Sequence, residues 1–229
     1  VDPTLVMQRL VSGYGAARDP GQATAMRAYL RDQFPFLGIR MARRRELSRQ
    51  VLSPLTAPTE NDLKEIALAC WQLPEREYQY FACDLLRRHA RIGTPDLLVT
   101  VRTLIVEKSW WDTVDALAVH VVGPIVARHP ATVSTMDAWS ADENLWLART
   151  AILHQLTYKA GTDPARLFRY CSALAGHRDF FIRKAIGWAL REYAKTDPAA
   201  VRQFVAVQRA RLAPLSVREA LKNIDEDAA

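Results

Sequence analysis

Cysteine is scarce in this chain. Cys70, Cys83 and Cys171 are three among 229 residues, an odd number at wide spacing that supplies neither a disulfide framework nor a CxxC metal or redox motif. They read as buried apolar thiols. Glycine is sparse too, at nine residues, about 4% against a usual ~7%, while Ala, Leu and Arg abound. Few glycines among many strong helix formers predict helices and little or no sheet. Long apolar runs are missing: the longest, Ala116 to Ala127, is interrupted by His120, Gly123 and Pro124 and falls short of the roughly 20 residues of a membrane span. The first residues, with Asp2 and Arg9, lack the basic-then-apolar layout of a signal peptide, so a cytoplasmic location is expected. There is no GxxxxGK[ST] loop, no GxSxG elbow, no HExxH, and no pair of the five histidines at ligand spacing. Nucleotide hydrolysis, triad hydrolysis and zinc chemistry are thereby set aside, and neither a metal nor a cofactor is called for.

What is present describes a folded protein. Hydrophobic residues make up 49% and charged residues 24%, close to the globular average and unlike a disordered chain. The length predicts one large domain or a continuous array, taken here as a single domain over 1–229 with a frayed tail at 225–229. The formal charge is +6, with 25 arginines and 6 lysines. Guanidinium forks suit phosphate, although a GC-rich genome raises the Arg to Lys ratio equally well. The net charge is what favours a polyanion partner.

The chain is periodic. Pro95, Pro130, Pro164 and Pro198 are spaced by 35, 34 and 34 residues, each with an aliphatic residue three positions on: Leu98, Val133, Leu167 and Val201. Proline belongs in the first turn of a helix, with Thr94, Asp163 and Asp197 as plausible N-caps. Sixteen residues after the first three prolines stand Trp111, Trp146 and Phe180, each opening a second amphipathic run. The N-terminal part fits more loosely, with helices expected near 22–34, 41–52, 60–71 and 76–90. Seven or so helices repeating as pairs predict an all-α fold, a right-handed curved α-solenoid of HEAT-like character whose second helices line the concave side. Gly13-Tyr14-Gly15 reads as a turn, His120 and His154 as core histidines, and Trp146 and Phe180 as core aromatics.

Candidate chemistry gathers on the second helices. Trp111 and Asp115, four apart, share one helix face. Arg149 lies on the next pair, and Lys184, Trp188 and Arg191 follow at i, i+4 and i+7 on the one after. Three neighbouring helices would thus converge on one groove.

The strings FLGI, WQLPERE, KSWWDTVD, NLWLARTAIL, IRKAIGWALREYAKT and LAPLSVREA resemble the alkylpurine DNA glycosylases of the AlkD type, bacterial HEAT-like-repeat base-excision enzymes. The resemblance runs from about residue 20 to 224. It implies a monomer that excises cationic N3- and N7-alkylated purines, such as 3-methyladenine and 7-methylguanine, from double-stranded DNA without drawing the base into a deep pocket. Trp111, Asp115 and Trp188 fall on the family's active-site residues and Arg149 on its DNA-contacting arginine. Tyr29 and Arg45 align with residues near the DNA. After FLGI this chain carries Arg40-Met41-Ala42 where the family commonly has small polar residues.

The residue types agree with that chemistry. A cationic purine leaves as a neutral base, so no general acid is needed and the sugar becomes oxocarbenium-like. Asp115 would stabilise that charge, and Trp111 and Trp188 would cradle it through cation–π contacts. Arg149 and Arg191 would hold phosphates, with Lys184 and the Arg43-Arg44-Arg45 cluster adding attraction to the backbone. A lyase would need an amine at the site, for which Lys184 is the near candidate. The alternative is a non-enzymatic helical scaffold for nucleic acid or protein.

Overall fold

The computed structural model describes residues 2–53, 57–222 and 224, and every regular element among them is helical. The chain clusters into two compact units, Val1–Lys108 and Ser109–Ala229. The expected tail at 225–229 lies outside the described residues. In the first unit the helices are α1 (Pro3–Ala16), α2 (Pro20–Tyr29), α3 (Met41–Leu52), α4 (Glu60–Gln72), α5 (Arg76–Arg88) and α6 (Leu97–Val106). The second holds α7 (Trp111–Leu117), a π-helical turn at Ala118–Val122, α8 (Gly123–Arg128), α9 (Val133–Ser140), α10 (Leu145–Leu153), α11 (Pro164–Ala173), α12 (Phe180–Ala194), α13 (Pro198–Gln208) and α14 (Pro214–Leu221). The expected all-α stack of helices is observed within each unit. Its helices are shorter and more numerous than the seven or so expected.

Helix starts follow Asp-Pro pairs. Asp2, Asp19, Asp163 and Asp197 each accept from main-chain N–H groups of the first turn, and each is followed by proline. The proline satisfies the first helical position without an orphaned donor, and the carboxylate satisfies one that remains. The periodic prolines at 164 and 198 therefore begin α11 and α13 as expected. Pro130 instead opens a 3-10 turn leading into α9. Pro95 lies in a turn just before α6, where Leu98 N–H donates to its carbonyl.

Two local readings are corrected. Gly13-Tyr14-Gly15 lies inside α1, because Tyr14 is wholly buried and donates or accepts a 2.8 Å hydrogen bond with Ser48 Oγ. The helix expected at 22–34 is α2, which begins at the Asp19 cap and stops at Tyr29, since Arg31 and Asp32 take left-handed backbone.

The first unit is tied around the loop that follows α2. Glu77, fully buried at the start of α5, accepts from the N–H groups of Leu37, Gly38 and Ile39 at 2.9, 2.8 and 3.1 Å. Arg76 stacks its guanidinium 3.8 Å from the Phe34 ring centroid and donates to the Lys108 carbonyl. Gly38 has a φ of 90°, and a Cβ there would lie 1.9 Å from the Asp19 carbonyl oxygen, so no other residue fits. The strings FLGI and WQLPERE thus meet as a structural lock.

In the second unit two backbone approaches set the register. A Cβ on Gly123 would come within 2.4 Å of the His154 carbonyl, and the same glycine's carbonyl accepts from Tyr158 Oη. A Cβ on Gly187 would come within 2.5 Å of Glu219 Cβ, and Ser216 Oγ donates to the Arg183 carbonyl beside it. Glycine here lets α8 meet the end of α10, and α12 meet α14, at distances a side chain would forbid. The three cysteines are buried, as expected, and no helix among the described residues is long and apolar enough to cross a membrane.

Candidate active site

Trp111 and Asp115 stand on α7, one turn apart, immediately before the π-helical turn. Such turns insert an extra residue into the helical ladder and re-aim what flanks them. Beside them α10 brings Arg149. Its Nε donates to Asp115 Oδ1 at 2.7 Å and its Nη2 to Oδ2 at 2.8 Å, a planar two-point pair. Its Nη1 donates to the Phe181 carbonyl at the start of α12. One guanidinium therefore links three helices.

The electrostatics of the pair are unequal. Burial pushes the Asp115 carboxyl above its ordinary range, Arg149 opposes that rise, and Asp112 adds to it. Physically, a carboxylate withdrawn from water is costly unless a cation compensates it. Arg149 is that cation, and at 3% exposure it is itself held inside the protein. All three guanidinium nitrogens of Arg149, the residue expected to contact phosphate, are engaged with Asp115 and the Phe181 carbonyl.

Behind the pair lies an aromatic cluster. Trp110 packs edge-on to Phe181 at 5.0 Å and against Trp146 at 5.9 Å, and Trp146 meets Phe181 at 4.9 Å. The expectation that Phe180 is core is corrected. It is 53% exposed, and its neighbour Phe181 enters the cluster instead, because Asp179 caps the Phe181 N–H and sets α12 one residue further round.

On α12, Lys184, Trp188 and Arg191 are all half-buried on one side of the helix. The sequence gives no sign of their partner. Glu219 of α14 accepts from Lys184 Nζ at 2.8 Å and from Arg191 Nη1 at 2.6 Å, and these two cations hold its carboxyl below the usual range. It lies 35 and 28 positions away in sequence, and the packing of α14 on α12 at Gly187 brings it there.

The structure gathers Trp111, Asp115, Arg149, Lys184, Trp188 and Arg191 on packed helices of the second unit. Tyr29, 73% exposed, and Arg45, also exposed, belong to the first. Of the Arg43-Arg44-Arg45 cluster, Arg44 is buried, pairs with Asp84 at 2.9 Å and lies over the Tyr80 ring. Arg43 pairs with Glu46. His154 is a core histidine, as expected, fully buried with Nδ1 against the Ala151 carbonyl and its pKa lowered to about 4 by burial.

Fold and site together define a stacked-helix protein that keeps a cation-braced carboxylate among indoles. The comparisons with known proteins give that class its family. The model for DNA alkylation repair enzymes matches residues 12–224, and the chain belongs to that family. Among solved structures, a predicted DNA alkylation repair enzyme from Enterococcus faecalis is similar at 35% identity and a TM-score of 0.82, covering 90% of this chain and 96% of the other. The smu.31 protein of Streptococcus mutans UA159 shares the fold at 17% identity and a TM-score of 0.60, covering 78% of this chain and 92% of the other. Comparison with curated proteins gave no match.

Proposed function

We propose that the chain is a monofunctional DNA glycosylase, acting as a monomer on duplex DNA to release cationic N3- and N7-alkylated purines such as 3-methyladenine and 7-methylguanine. The observation that carries this reading is the Asp115–Arg149 pair set between the tryptophan-bearing helices α7 and α12.

The chemistry is hydrolysis of the N-glycosidic bond. The bond electrons pass to the cationic purine, which departs neutral. The deoxyribose C1′ becomes electron-poor, and water adds there, losing a proton to solvent or to Asp115. Alkylation has already supplied the positive charge that a general acid would otherwise provide. Asp115 answers the charge that develops on the sugar, and a fixed anion in a partly dry site is worth far more than one in water. Arg149 is a positioning residue: by gripping both carboxylate oxygens it fixes the anion's direction and keeps it ionised. Trp111 and Trp188 offer electron-rich faces to the cationic nucleotide. Recognition then rests on the charge of the lesion and on local duplex deformability, and neutral lesions such as uracil resist.

Single-turnover incubation with a duplex carrying one 7-methylguanine, followed by alkaline cleavage, tests the reading. Release that depends on Asp115 and spares a uracil control is expected. Tight binding without release would overturn it in favour of a non-enzymatic scaffold.

A further inference from the structure

Lys184 and Arg191 bracket Trp188 on α12, one turn before it and about one turn after. Both reach the same carboxylate, Glu219, through oxygens of their own. The bonded trio of two cations and one anion carries a net charge of +1, and Lys222 adds a further cation near Glu219. Glu219 cannot drift from this position: α14 is pressed onto α12 at Gly187, and Ser216 Oγ pins it to the Arg183 carbonyl. The carboxylate is also the less exposed member of the trio, with its side chain 15% accessible against 40% for Lys184 and 24% for Arg191.

We infer that Glu219 is a positioning residue that tunes DNA affinity, bridging Lys184 and Arg191, which flank Trp188 on α12, while competing with backbone phosphate for both. This rests on the reading of the protein as a DNA-binding repair enzyme and names a residue that restrains its grip on undamaged DNA. Phosphate attraction is sequence-independent and shared by damaged and undamaged duplex alike. A repair enzyme that must leave undamaged DNA gains from an internal anion that weakens this common part. Contacts to the lesion through Asp115 and Trp111 do not pass through Glu219 and so weigh more in the total.

Binding of undamaged duplex, measured by fluorescence anisotropy across a salt series, tests the inference without requiring base excision. Glu219→Gln keeps the shape and removes the charge. It is expected to bind undamaged duplex at least threefold more tightly at low salt. It should also gain about one counterion in the salt slope, so that affinity falls about threefold more than in the wild type between roughly 50 and 200 mM salt. Glu219→Asp keeps the charge but is too short to reach both cations, and its slope should lie between the two. In a Lys184→Gln, Arg191→Gln background, Glu219→Gln should change nothing. A merely structural role would lower the thermal midpoint and leave the slope unmoved, and that result in both Glu219 variants would overturn the inference. Failure of the wild type to bind duplex at all would overturn this inference and the DNA reading together, whereas binding with unmoved slopes counts against Glu219 alone.

Discussion

Glu77 and Asp115 are carboxylates that the fold withdraws from water, one in each compact unit, and their partners differ in kind. Glu77 accepts from three successive main-chain N–H groups, donors that cannot turn away unless the loop itself comes apart. Asp115 is met by a side chain, Arg149, and keeps 16% of its own side chain accessible. The neighbouring arginines repeat the contrast. Arg76 is sealed against Phe34 and a carbonyl, whereas Arg149 braces a carboxylate that still has an open edge. A carboxylate bound by main chain builds structure, and one bound by a guanidinium can be kept ionised and aimed.

The comparison breaks most visibly at Glu77. Glu77→Ala orphans three buried N–H groups, each costing about 1–3 kcal/mol. The loss of unfolding free energy is expected to be on the order of 3 kcal/mol or more, read as a lower denaturant midpoint. The folded fraction should excise at the wild-type rate; a rate loss with an unchanged midpoint would place Glu77 in the chemistry instead. Asp115→Asn should do the reverse, lowering single-turnover excision about 10²- to 10³-fold while duplex binding holds. Equal losses in binding and rate would contradict the role given to it.

Smaller changes sharpen the contrast. Arg149→Lys keeps a positive charge but loses the two-point grip that aims the carboxylate, so excision near neutral pH should fall about tenfold through misplacement of the anion. Loss of duplex binding without loss of saturating rate would assign Arg149 to phosphate instead. The pH profile is the finest test. Burial raises the Asp115 carboxyl, and the proposed reaction uses its ionised form. Excision should therefore decline as pH falls through a midpoint above the ordinary aspartate value of about 3.9. In Arg149→Lys that acid limb should move to higher pH, and superimposable limbs would show that Arg149 does not govern Asp115.

Much of this was legible in the sequence because helix starts announce themselves locally. The 34-residue proline spacing located α11 and α13, and the i, i+4 spacing placed Trp111 and Asp115 on one face. Asp2-Pro3 and Asp19-Pro20 carried the same signal and would have placed α1 and the true start of α2. What escaped was set by tertiary packing. Tyr14 lies in a helix despite two flanking glycines because its ring is buried and its hydroxyl meets Ser48. Phe181 rather than Phe180 points inward because a cap shifts the register by one. The burial of Arg149 and the partnership of Glu219 with Lys184 and Arg191 join residues about 30 positions apart, and no local pattern records them.

The lock at Glu77 also dictates an order of assembly. The N–H groups of residues 37 to 39 have their acceptor 38 to 40 positions downstream, so the loop behind α2 closes only once the start of α5 has been made. Non-local closures of this kind are slow relative to helix formation. On the ribosome, where chains lengthen by about 5–20 residues each second, the loop behind α2 therefore waits for several seconds without its acceptor. A nascent chain stalled before Glu77 leaves bare three successive main-chain donors that the finished protein hides.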